Sequence, residues 1–98
     1  MCQEQKLKAI DYIRKGWTQG CMAIDIDNKS VNPSSKEAVA FCSLGAIKAA
    51  YPDFSKGELT AITAKLYALI DHLSIALWND HPDRKQEEVV AAFEKADI

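Results

Sequence analysis

The chain has 98 residues, 48% hydrophobic and 27% charged, with 12 basic against 14 acidic side chains and a formal net charge of −2. That length fits one core and not two, so residues 1–98 read as a single domain, and the composition excludes disordered and coiled-coil classes. The near-neutral charge argues against nucleic-acid binding; with no apolar run approaching the roughly 18 residues that span a bilayer, and no leader-like start, a cytoplasmic protein is expected.

In chain order, Leu7, Ile10 and Ile13 form an apolar stripe at helical spacing. The pattern predicts an amphipathic first helix from about Glu4 to Lys15, stopped by Gly16. From Trp17 to Pro33 the helical period disappears. Met22 to Ile26 partly alternates and Asp27 to Ser30 reads as a turn, which predicts a short β hairpin or ordered loop.

Ser34 and Glu37 match a capping box, placing the start of a second helix there and its end near Tyr51, ahead of Pro52. Ala38, Val39, Phe41, Leu44, Ile47, Ala49 and Ala50 would make it the buried central helix. Ala38, Cys42, Gly45, Ala46 and Ala49 form a small-residue stripe along it, suited to close backbone approach. Ser55 and Glu58 repeat the capping signature, followed by Leu59, Ile62, Leu66, Leu69, Ile70 and Leu73. This third helix either runs to Leu77 or breaks near His72 and restarts at Ser74. After the turn Asp80-His81-Pro82-Asp83, Asp83 with Gln86 would cap a last helix buried through Val89, Val90 and Phe93. The expected fold is mainly α: about four helices around one core, with the second and third central and a short hairpin or loop between the first two.

Trp17-Thr18-Gln19-Gly20, Ala23-x-Asp25, Phe41-Cys42-x-x-Gly45-Ala46 and Trp78-Asn79-Asp80, followed by Arg84, Glu88 and Val89, occur in an order that resembles a family of small bacterial and bacteriophage proteins classed as a domain of unknown function. The resemblance covers roughly Trp17 to the C-terminus. It implies no activity. The family commonly carries a glycine in the turn where this chain has Lys29-Ser30.

Cys2, Cys21 and Cys42 are odd in number and widely spaced, without a C-x-x-C pair, which fits reduced thiols. Cys42 is the one nucleophile candidate, with His72 or His81 as base and Asn79 or Asp80 to orient the imidazole. Against it stands a position about two turns inside the second helix, far from the terminal dipole that lowers thiol pKa values. Cys21, Cys42, His72 and His81 match no metal-ligand spacing, so no metal is expected. Asp25-Ile26-Asp27-Asn28 fails as a calcium loop, because Lys29 and Ser30 occupy positions that need an oxygen ligand and a glycine. The four scattered glycines build no phosphate loop, and no cofactor is implied.

Trp17 and Trp78 each stand at a helix exit beside side chains rich in hydrogen-bonding groups. If the two corners meet, Trp17, Gln19, Trp78, Asn79, Asp80 and Arg84 would surround a small polar pocket for a planar or charged ligand. The competing reading makes Trp78 a core plug and Asn79 and Asp80 a polar lock on backbone groups. The functional expectation is a non-catalytic binding or protein-interaction module. Its alternatives are a small cysteine-dependent hydrolase or transferase using Cys42, and a phage-type modulator of a host complex. A domain this small gains stability by pairing with itself, which argues for a homodimer.

Overall fold

The computed structural model describes residues 7–70 and 74–98. Among the described residues the elements are α1 (Ala9–Lys15), β1 (Ala23–Ile24), β2 (Ala40–Phe41), α2 (Ser43–Ala50), α3 (Lys56–Tyr67), α4 (Ile75–Asn79) and α5 (Gln86–Ala96). The class is mainly α with a small antiparallel sheet, as the sequence pattern implies.

α1 buries Ala9, Ile10 and Ile13, and the expected residues before Leu7 lie outside the described residues. Its first turn is closed by Asp11, whose Oδ2 accepts from the Lys8 N–H at 2.8 Å. The helix stops at Gly16, as expected, although Gly16 is extended rather than left-handed. Clearance explains the glycine, since a Cβ there would stand 2.4 Å from the Val39 carbonyl oxygen.

The following turn needs no glycine at Lys29-Ser30. Asn28 takes the left-handed conformation (φ 66°), one that asparagine tolerates well. Asp25 Oδ1 accepts from the N–H groups of Asp27 and Lys29, both at 2.9 Å. β1 then pairs antiparallel with β2, Ala23 opposite Phe41 and Ile24 opposite Ala40.

The second helix does not start at Ser34. Local side chains capture the N–H groups there instead: Asn32 Oδ1 accepts from Ser34 and Ser35 Oγ from Glu37, the competition with helix that Asn and Ser offer. Ala40 and Phe41 are strand, and Val39 is 47% exposed rather than buried in a helix. α2 begins at Ser43 with Cys42 as its N-cap, so Cys42 is not two turns inside the helix. Its end, with Tyr51 as C-cap ahead of Pro52, is as expected. Gly45 lets the backbone of the hairpin approach, since a Cβ would lie 1.9 Å from the Met22 carbonyl oxygen.

α3 carries the expected capping box, with Ser55 Oγ accepting from Glu58 N at 3.1 Å and Glu58 Oε1 from Ser55 N at 2.8 Å. It ends at Tyr67, earlier than the break expected near His72, which lies outside the described residues, while the expected restart at Ser74 holds, with Ser74 capping α4 through Leu77 N. The cap of α5 differs from expectation: Lys85 is the N-cap, its N–H held by Glu88 Oε1 at 2.9 Å. Gln86 instead donates from Nε2 to the Ile13 carbonyl at 2.8 Å, tying α5 to α1. The core also sits elsewhere than expected. Ile13, Ile47, Val89 and Phe93 place it among α1, α2 and α5, while α3 buries only Leu66.

Candidate functional site

A single capped turn, α4, positions the candidate site. In five residues its i, i+3, i+4 positions Ile75, Trp78 and Asn79 turn inward, while Ala76 and Leu77 face out. On the opposite side, a parallel bridge from Trp17 to Phe41, with Thr18 N donating to Phe41 O at 3.1 Å, fixes the segment after α1. The two corners singled out in the sequence therefore meet.

They meet on the side chain of Asn79, which is 1% exposed. Its Oδ1 accepts from Trp17 Nε1 at 2.8 Å, from Ser43 N at 2.9 Å and from Ser43 Oγ at 2.7 Å. Its Nδ2 donates to Thr18 O at 3.1 Å and Asp80 Oδ1 at 3.0 Å. Both amide hydrogens and the oxygen of Asn79 are thus used within the protein.

Gln19 Nε2 donates to the carbonyls of Asn79 (2.9 Å) and His81 (2.8 Å). Asp80 Oδ1 accepts from Gly20 N at 3.0 Å, and Gly20 is left-handed at φ 85°. Trp78 is buried, with the Arg84 guanidinium 4.5 Å above its ring and Arg84 Nε donating to the Trp78 carbonyl at 2.9 Å. Arg84 also lies 3.7 Å from Glu88. The two indoles serve separate contacts, Trp17 to Asn79 and Trp78 to Arg84.

Cys42 is buried. Its Sγ accepts from Gly45 N at 3.3 Å and stands 3.9 Å from Met22 Sδ. Burial pushes its pKa above the ordinary thiol value, opposed by the backbone N–H groups of Gly45 and Leu44. The N-terminal dipole that favours thiolate is present here, and desolvation outweighs it. His81 Nδ1 accepts from Asp83 N at 3.1 Å. His72 lies outside the described residues.

Two recesses flank this corner. One of about 180 Å³ is bordered by Gly20, Cys21, Met22, Cys42, Asn79 and Asp80. The other, about 370 Å³ and mostly apolar, runs between α3 and α4 over Leu44, Thr60, Ala64, Tyr67, Ile75 and Ala76. As site residues, Ser43 and Met22 were passed over in the sequence, and Thr18, quoted in its motif, contributes its backbone carbonyl. Ser43 sits inside the Cys42-x-x-Gly45 motif, and that place was its one available signal.

These features define a class: a small, mainly helical domain in which one buried asparagine joins the segment after α1, the N-terminus of α2 and the end of α4. The chain belongs to a family of unknown function (DUF6197), whose model matches residues 7–97. No curated protein and no solved structure matches it.

Proposed function

We propose that this is a non-catalytic interaction module of the cytoplasm, with the Trp17–Asn79 corner acting as an internal lock. Its docking surface is the apolar face between α3 and α4, and its occupant is a second copy of the chain. The observation that carries this reading is Leu77, 58% exposed on the outer side of α4 and next in the chain to Ala76, which borders the apolar recess. A projecting aliphatic residue and a recess on one face are what a twofold, isologous contact needs. Among the described residues, those bordering the recess include no charged side chain, so a formal net charge of −2 does not oppose self-pairing there.

Catalysis by Cys42 is disfavoured because its thiol is buried and its pKa is raised, whereas a cysteine nucleophile needs access and a depressed pKa. Polar ligand recognition at the corner is disfavoured because Asn79 has no hydrogen-bonding capacity left over.

Sedimentation velocity from micromolar to near-millimolar protein tests the proposal. The expected outcome is a concentration-dependent dimer that Leu77→Asp converts to monomer while leaving the circular dichroism spectrum unchanged. A wild-type chain that stays monomeric throughout, or a dimer indifferent to Leu77→Asp, overturns it. A modulator of a host complex would present the first of those outcomes.

A further inference from the structure

The smaller recess beside the corner gathers sulfur. Cys42 N donates to Met22 O at 3.0 Å, continuing the β1–β2 pairing, and the Cys42 Sγ and Met22 Sδ atoms lie 3.9 Å apart. Cys21, a free thiol of intermediate burial, borders the same recess with its Sγ 3.7 Å from the Ala23 carbonyl oxygen. Cys21, Met22 and Cys42 therefore border one recess of about 180 Å³.

We propose that Cys21, Met22 and Cys42 form a binding site for a soft monovalent metal ion, copper(I). Thiolate and thioether ligands together select copper(I), whereas zinc takes thiolate, imidazole and carboxylate. The spacing fits as well: two sulfur atoms at about 2.3 Å from a metal and about 120° apart are separated by about 4.0 Å. The gap already present is 3.9 Å.

Binding exchanges the two thiol protons, released to solvent, for one copper(I), and leaves the site with one net negative charge. The Gly45 N–H at the start of α2 already points at Cys42 Sγ and offsets part of the burial that keeps the thiol protonated, the rest being met by the bound cation itself. The ion needs no change of oxidation state to bind. The site adjoins the α3–α4 recess through Leu44 and Ala76, but its sulfur ligands lie outside that docking face, so either proposal can fail without the other.

The test is an anaerobic titration of the reduced protein with copper(I) in competition with a colorimetric copper(I) chelator. Cys2→Ser is included so that the third thiol does not contribute. The protein is expected to withdraw one equivalent from the chelator and to develop sulfur-to-copper absorption in the ultraviolet. Cys42→Ser, which keeps a side-chain oxygen at the N-cap, and Met22→Leu, which keeps the volume, should each weaken binding by about tenfold or more. Circular dichroism confirms that both variants fold. Failure to withdraw copper from the chelator overturns the proposal, and so does an affinity unchanged by either substitution.

Discussion

Asn79 concentrates more of this fold than any other polar side chain described. Its five hydrogen bonds reach Trp17, Thr18, Ser43 and Asp80, and at 1% exposure no water replaces them. Asn79→Ala leaves the Trp17 N–H and both Ser43 donors facing a void. The expected loss is about 3 kcal/mol, read from the urea midpoint. Proton exchange at the Trp17 indole, followed by NMR, should be slow in the wild type and fast in the variant. Cys42 makes a prediction of opposite character. Its folded pKa is raised, so the unfolded chain loses the thiol proton first as pH rises. Stability is therefore intact below about pH 8.5, the ordinary thiol range, and falls as pH climbs beyond it. Urea midpoints measured across the alkaline range should show that decline, and Cys42→Ser should remove its share.

At the scale of elements, backbone proximity decides more than propensity does. Gly45→Ala improves helix propensity in α2, yet its Cβ would lie 1.9 Å from the Met22 carbonyl oxygen, and both sides of that contact are backbone. The substitution should destabilise by about 3 kcal/mol, visible as a lowered thermal midpoint. The sequence pattern made most elements legible, for identifiable reasons. Ser55 with Glu58 and the stop before Pro52 are local signals, and the structure keeps them. The start of α2 was not legible. Ser34 and Glu37 have the spacing of a cap, but Asn32 and Ser35 satisfy that stretch as turns, while the true cap is a cysteine, outside the usual set. Likewise the meeting of Trp17 with Asn79 could be framed from their neighbours as a condition. That Ser43 would complete it depends on tertiary placement alone.

Over the whole molecule, polar and apolar features are segregated. Hydrogen-bonding side chains converge on the inner side of α4, and its outer side leaves Leu77 at 58% exposure. If that outer side pairs with a second copy, the thermal midpoint rises with protein concentration, and Leu77→Asp flattens the dependence. The asparagine lock also has a consequence for the order in which the chain is made. Trp17 and Asn79 are 62 residues apart, whereas Met22 and Cys42 are 20 apart. By the logarithmic loop law, closing the longer span costs about 1 kcal/mol more chain entropy. During synthesis the hairpin and α2 emerge from the ribosome well before residue 79, so Trp17 and Ser43 wait with their donors turned to water. The lock then closes only when most of the chain has left the exit tunnel, which makes this a domain that completes its fold after translation of the N-terminal half rather than alongside it.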